Sequence, residues 1–410
     1  MPFSILQLNL DQRAAQGLER RRHVLDNAQG VRVSVDGQSF LSFCSNDYLA
    51  LANHPKVIAA LQHGAQQYGG GAGASHLVSG HSTAHYLLEN ELAAFVGKPA
   101  GLLFSTGYMA NMGAVQALAG RNDTVFADKL NHASLNDAML LSRAKVQRYR
   151  HNDMAHLEKL LAESCGSQHD LPLPNPPPVG EGANAVMRGY NPGRKLVITD
   201  AVFSMDGDLA PLPELLALCE RYDAWLLLDD AHGFGVLGEH GRGSLAHFAL
   251  DSPRIIYMAT LGKAMGVSGA FVAAEKIVID TLVQNARSYI YTTASPPALA
   301  AALLTSLGVV RQEEWRREQL QKLIAQLRSG LAGLKWRLLE SQTPIQPLLV
   351  GGNAEVVALS EELRARCIWV PAIRPPTVPQ GTARLRISLS AAHSAADVEQ
   401  LIEELHDLAQ

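Results

Sequence analysis

The sequence predicts an α/β fold, with a large domain built on a mainly parallel sheet sandwiched by helices and a small C-terminal α/β domain after it. Three observations carry that expectation. Through the middle of the chain, short apolar runs alternate with longer helix-like segments, the signature of strand and helix units that build a parallel sheet. The runs are apolar on both faces, as strands covered by helices on two sides must be. After Pro296 the rhythm changes to a long amphipathic pattern and then to a shorter set of strands and helices.

Length and composition agree with two packed units. A chain of 410 residues exceeds what one hydrophobic core usually organises, and 47% hydrophobic against 18% charged residues is too apolar for disorder. The 35 Lys and Arg against 39 Asp and Glu leave a net charge of −4, which provides no electrostatic footprint for nucleic acid or an anionic membrane. Small-molecule chemistry is the default that remains. Cys44, Cys165, Cys219 and Cys367 are scattered with no C-x-x-C pair, so free thiols in a reducing compartment are expected and a metal is not. Residues 1–22 lack the apolar core and cleavage site of a signal peptide, and the longest apolar stretch, around Pro296 to Val310, is too short to span a bilayer. The expected location is the cytoplasm.

In chain order, residues 1–46 read as an N-terminal helical segment, 47–299 as the large domain, and 300–410 as a long linking helix with the small domain. Candidate strands of the large domain are Gly101 to Phe104, Thr124 to Ala127, Leu196 to Thr199, Trp225 to Leu228, Ile255 to Met258 and Ala270 to Ala273. Most are followed by polar or glycine-rich residues where the chain turns. Residues 166–194 include Leu171-Pro172-Leu173-Pro174-Asn175-Pro176-Pro177-Pro178, which can neither continue a helix nor sit in a sheet centre, so they read as a surface insertion. One amphipathic helix is expected from Pro296 to Leu334, with Pro296 and Pro297 at its start and Glu313, Arg316 and Arg317 on its solvent side. Ile345 to Val350, a helix from Ala354 to Ala365, a strand from Leu385 to Leu389 and a closing helix from Ala395 to Leu408 complete the small domain.

The chemistry-bearing residues stand in the turns. Thr260-Leu261-Gly262-Lys263-Ala264-Met265-Gly266 follows an apolar strand and places Lys263 where partial burial favours the neutral, nucleophilic amine. Taken alone, a lysine in such a turn is more often simply solvated. The strand Trp225 to Leu228 runs into Asp229-Asp230-Ala231-His232, a carboxylate and an imidazole at the strand end, where ligands bind in open α/β sheets; a helix cap with a satisfied histidine is the plainer alternative. Asp229 suits a protonated pyridine-type nitrogen, and His232 a phenolic or substrate oxygen. Ser105-Thr106-Gly107-Tyr108 opens a helix whose free amides favour an anion such as phosphate. His132 follows another strand, placed to stack on an aromatic ring, although a lone histidine there is more often structural. Gly69-Gly70-Gly71-Ala72-Gly73-Ala74 matches G-x-G-x-x-[G/A], but a helix-like run from Val57 to Gln67 precedes it where a dinucleotide fingerprint needs a strand; a substrate-lining loop is the reading.

A lysine, an aspartate, two histidines and a phosphate-ready helix start at the strand ends of one sheet are the parts that pyridoxal 5'-phosphate (PLP) chemistry requires. With Ser45-Asn46-Asp47-Tyr48-Leu49, Ser79-Gly80, His85, Leu88-Glu89 and the run Ile373 to Pro379 followed by Gly381 to Arg386, the chain resembles the α-oxoamine synthases, PLP-dependent enzymes of fold type I. The resemblance covers nearly the whole chain. The 373–386 run is most similar to the branch that condenses L-alanine with a pimeloyl thioester, on CoA or acyl carrier protein, in biotin biosynthesis; a sister branch uses glycine and acetyl-CoA. The resemblance implies Lys263 as the Schiff-base lysine and Asp229 as the pyridine-nitrogen partner. It implies His132 as the stacked ring and Ser204 and His232 as contacts near the phenolate oxygen. Gly107, Tyr108 and Thr260 match the phosphate cradle, completed by Thr292 or Thr293 from the other subunit of a homodimer. Arg386 matches the arginine that grips the amino-acid carboxylate, and Arg20 and Thr377 match positions for the acyl substrate. Ala50 stands where the family usually has glycine.

Overall fold

A computed structural model describes residues 2–16, 18–20, 22–166 and 193–410. The expected insertion lies almost wholly outside the described residues. By backbone contacts the chain divides into a central unit, Pro55–Phe203 with Leu209–Glu313, and a second unit assembled from Met1–His54, Ser204–Asp208 and Glu314–Gln410.

The central unit holds a seven-stranded sheet in the order Ala100–Phe104, Ala270–Ala274, Ile255–Thr260, Ala224–Asp229, Lys195–Asp200, Thr124–Asp128, Lys145–Tyr149. Ala270–Ala274 runs antiparallel to both neighbours and every other pairing is parallel, so the expected mainly parallel sheet is what the chain builds. The inner strands are buried almost throughout, which their Val, Ile, Leu and Ala content requires. The edge strand Lys145–Tyr149 was not expected. Its sequence, Lys-Val-Gln-Arg-Tyr, carries no apolar run because most of it is exposed.

The helix expected over 296–334 is two helices, Pro297–Gln312 and Trp315–Gly330, and the division between units falls at their break rather than near residue 300. Packing explains this. Pro297–Gln312 lies against Pro55–Tyr68 in the central unit, where a Cβ on Gly64 would come within 2.9 Å of the Ala298 Cα, so only glycine permits the approach. Trp315–Gly330 packs instead on Ala395–Ala409 in the second unit.

Among the described residues of 1–46, the helix is Ser4–Ala15 alone. Arg32–Val35 and Gln38–Ser42 form an antiparallel hairpin whose turn residues, Asp36 and Gly37, both take positive φ (53° and 73°), as Asp-Gly does in tight hairpins. Val33, Val35 and Phe40 alternate inward onto Trp369, and Ile368–Trp369 adds a parallel third strand. The second unit also holds an antiparallel four-stranded sheet, Arg337–Leu338, Ile345–Gly351, Ala383–Ser388 and Ala372–Ile373 in that order. Its closing helix begins with a reciprocal cap: the Asp397 amide donates to Ser394 Oγ at 3.1 Å and the Ser394 amide donates to Asp397 Oδ2 at 2.9 Å. Among the described residues, no helix is long and apolar enough to cross a membrane.

Candidate active site

Strands that run parallel finish at one edge of the sheet, and five of them deliver polar residues there: Thr106 and Gly107 after Phe104, His132 after Asp128, Asp200, Asp229 with His232, and Lys263 after Thr260. The sequence-predicted residues His132, Asp229, His232, Thr260 and Lys263 gather at this edge.

Asp229 is buried, and its carboxylate is held from two sides. Oδ1 accepts from the Ala231 amide at 3.0 Å, and Oδ2 accepts from Asn111 Nδ2 at 2.7 Å. Asn111, one turn into the helix Gly107–Leu118, also donates from Nδ2 to Ser134 Oγ at 2.9 Å. Ser134 in turn faces His132: its Oγ lies 2.8 Å from His132 Nδ1, and its amide donates to the same nitrogen at 3.2 Å. Nδ1 is therefore the acceptor and Nε2 carries the proton. The His132 amide donates to Asp200 Oδ2 at 2.8 Å, closing a polar chain from Asp229 to Asp200.

Asp200 and Asp229 are cross-strand neighbours, both buried. Two carboxyls so placed cannot both ionise freely. Burial first, and the Asp229 charge second, push Asp200 well above the usual carboxylate range. His132 is lowered, chiefly by the protein packed about it and then by the Lys263 charge, with Asp229 opposing. The adjacent Asp230 does a different job: Oδ2 accepts from the Tyr257 hydroxyl and from the Ser244 amide, each at 2.7 Å. Burial pushes its carboxyl up to about 7.

Lys263 is half-buried, with Nζ 2.9 Å from His232 Nε2. Its turn is fixed by the Leu261 amide on Gly269 O at 2.8 Å and the Gly266 amide on Lys263 O at 2.8 Å. At the start of Gly107–Leu118, Thr106 Oγ1 accepts from the Met109 amide at 3.1 Å, which leaves the Gly107 and Tyr108 amides directed off the helix N-terminus. A Cβ on Gly107 would come within 2.6 Å of Thr260 Cγ2, so glycine keeps open the space between helix start and strand end. That cradle, the anchored Asp229 and the amine beside His232 fit a PLP group. The Tyr108 hydroxyl donates to the Asp137 carboxylate.

The other candidates belong to other segments of the chain. Thr292 and Thr293 lie in a segment whose following residues are pinned, the Ala294 amide donating to Ala74 O at 2.9 Å and His85 Nε2 to Ser295 O at 2.9 Å. Ser204 and Arg386 belong to the second unit, where Arg386 is buried and held through each of its three nitrogens: Nε donates to Ser204 O at 2.6 Å, one terminal nitrogen to Ser388 Oγ at 2.7 Å and the other to Asn46 Oδ1 at 3.1 Å. Arg20 is exposed, and Thr377 is exposed in a turn closed by its amide on Arg374 O at 3.0 Å. Sequence reasoning missed Asn111, Ser134 and Asp200. A signal existed for each: Asn111 is four residues past Gly107 on the same helix face, Ser134 is two past His132, and Asp200 ends a strand just as Asp229 does.

Comparison with known proteins shows the family of the chain. The family described as aminotransferase class I and II matches residues 38–405. The 8-amino-7-oxononanoate synthase of Nitrosomonas eutropha is 60% identical over 403 residues, covering 98% of this chain and 97% of that protein. Among solved structures, serine palmitoyltransferase from S. paucimobilis with bound PLP–myriocin aldimine is 27% identical with a TM-score of 0.86, covering 99% of this chain and 97% of that one. The 8-amino-7-oxononanoate synthase of Francisella tularensis is 28% identical with a TM-score of 0.73, covering 90% and 97%. The chain belongs to the 8-amino-7-oxononanoate synthase family of PLP-dependent, fold type I acyltransferases.

Proposed function

We propose that the protein condenses L-alanine with a pimeloyl thioester, on CoA or acyl carrier protein, releasing carbon dioxide and the free thiol carrier and leaving 8-amino-7-oxononanoate for biotin biosynthesis. The observation that carries the chemistry is the pairing, at one sheet edge, of a lysine amine 2.9 Å from an imidazole with a buried carboxylate held by Asn111 and Ala231. The 60% identity to a synthase of that name supports the choice of substrates.

In this reading Lys263 would hold PLP covalently, Asp229 would meet its pyridine nitrogen, His132 would cover its ring, and Ser204 and His232 would serve its phenolic oxygen. Gly107, Tyr108 and Thr260 take the phosphate, with Thr292 and Thr293 supplied by the other subunit of a cytoplasmic homodimer. When bound, PLP withdraws electrons from the amino-acid α-carbon and so acidifies its proton. The residues do the rest. Lys263, once its amine is free, accepts the α-proton, and His232 beside Nζ orients that amine. Asn111 and the Ala231 amide fix Asp229 in one orientation, so its charge is pre-aimed. His132, its Nδ1 occupied by Ser134, presents Nε2–H as a donor to the substrate carboxylate or to the oxyanion that develops at the thioester carbonyl. Arg386 grips the amino-acid carboxylate with a planar fork, and Arg20 and Thr377 meet the acyl substrate.

Mass spectrometry of the product tests this directly. Alanine with pimeloyl-CoA should yield 8-amino-7-oxononanoate; product only from glycine with acetyl-CoA would move the protein to the sister branch. A monomer by light scattering that retains PLP tightly would refute the shared phosphate cradle.

A further inference from the structure

A second cluster of titratable groups lies in the central unit, outside the residues used above. The chain makes a single π-helical turn over His76–Gly80, passes His81, and enters the helix Thr83–Phe95, which carries His85 in its first turn. One ring nitrogen from each of His76, His81 and His85 lies within 4.8 Å of the other two. His76 Nδ1 and His81 Nδ1 face each other at 3.0 Å.

The far nitrogen of one of these rings has a hydrogen-bond partner, and that of a second stands near a carboxyl group. His85 Nε2 donates to Ser295 O at 2.9 Å, and His81 Nε2 lies 3.7 Å from Glu89 Oε2, a carboxylate group whose other oxygen accepts from the Leu103 amide at 2.9 Å. An imidazole held at one nitrogen by a carbonyl or carboxylate presents its other lone pair inward, which is how metal-binding histidines are oriented. His76 is buried and stacked on Tyr289, ring centroids 4.9 Å apart, so its direction is fixed by packing. His85 Nδ1 accepts from the Ser82 amide at 3.1 Å and faces Ser82 Oγ at 3.1 Å, so it is the unprotonated nitrogen of that ring, and an ion binding there takes the place of these contacts.

We propose that His76, His81 and His85 bind one divalent transition-metal ion of the Zn2+ class through three imidazole nitrogens, with solvent as the fourth ligand. Nitrogen ligands alone select Zn2+, Co2+, Ni2+ or Cu2+ over Mg2+ and Ca2+, which require oxygen. With metal–nitrogen bonds near 2.0–2.1 Å, two ligands of a tetrahedral ion stand roughly 3.3 Å apart, so the 3.0 Å pair needs to spread only slightly. The His81 side chain keeps 29% of its surface in solvent, which gives the ion its way in and its open position. The ion displaces the Ser82 amide from His85, and it ties the π-helical turn to the helix that holds the Ser295 carbonyl.

The test uses untagged holoenzyme freed of metal by chelation and titrated with Co2+ alone and then with Zn2+ alone. One Co2+ per chain should bind with the intense visible bands of four-coordinate cobalt, Zn2+ should displace it, and the melting temperature should rise with either ion. His81→Gln changes an exposed residue and should fold normally; it and His76→Gln should each weaken binding by at least about tenfold. No saturable binding at micromolar ion, or unchanged affinity in His81→Gln, overturns the proposal. Because the readouts are metal stoichiometry and spectrum, they stand whatever substrate the enzyme uses.

Discussion

In the seven-stranded sheet of the central unit the polar residues stand at or just beyond the strand ends, whereas in the four-stranded sheet of the second unit they stand inside a strand. Parallel strands joined by helices bring their carboxyl ends together, so Lys263 and His132 sit in turns, and Asp229 on the last residue of its strand, held by a rigid, apolar sheet. Ala383–Ser388 instead alternates: Arg384, Arg386 and Ser388 share one face, and Leu385 and Ile387 the other. A buried guanidinium must have its donors met, and Arg386 directs one from each nitrogen to Ser204, Asn46 and Ser388. A residue past a strand end therefore changes chemistry with little effect on folding, while one inside a strand carries both.

The strongest test of that contrast is Lys263→Ala. Turnover should fall by about 10^4 or more, because base and cofactor anchor are lost together, while the urea midpoint barely moves. A large drop in stability would remove the distinction between the two sheets. Arg386→Lys keeps the charge but loses the fork, leaving at least one of its three acceptors unmet. It should raise KM for the amino acid and also lower stability by about 2–3 kcal/mol in chemical denaturation. A KM effect with unchanged stability would show that the strand tolerates the loss.

The neighbouring pair Asp229 and Asp230 sharpens the contrast within one strand end. Burial raises Asp230 to about 7, so the fold binds a proton there that the unfolded chain releases near pH 4. Stability from this group is lost as pH rises between those values. Asp230→Asn removes the titration and keeps an oxygen for Tyr257 and Ser244; its stability relative to wild type should rise by about 2 kcal/mol between pH 5 and pH 8. Urea unfolding of both proteins at the two pH values checks this, and a parallel pH dependence would reject it.

The smallest effect is expected at Ala50, which adopts φ 56° in the turn closed by its amide on Asp47 O at 3.1 Å. A Cβ is strained in that left-handed region, so Ala50→Gly should stabilise by about 0.5–1 kcal/mol by thermal unfolding, and any loss would mean that the methyl's packing outweighs the strain. The family preference for glycine noted in the sequence thus has a backbone cause.

What was readable in advance follows one rule. The inner strands showed as apolar runs because both their faces are covered, while Lys145–Tyr149, exposed at the edge, left no such trace. The hairpin around Asp36-Gly37 does carry a local signal, the Asp-Gly turn between alternating Val33, Val35 and Phe40, which outweighs a helical reading of residues 1–46. The break at Glu313 had none: both flanking helices are amphipathic, and only their different packing partners separate them.

Sequence alone determined the alternation of strands and helices, the glycine and threonine at the phosphate-ready helix start, and the positions of Lys263, Asp229 and His132 at or just past strand ends. Periodicity and turn chemistry are local properties, written within a dozen residues. Tertiary structure decided which of those ends meet. Asn111 reaches Asp229 across 118 residues and His132 reaches Asp200 across 68, because strand order, set by how whole helices cover the sheet, makes neighbours of segments with no local mark of each other.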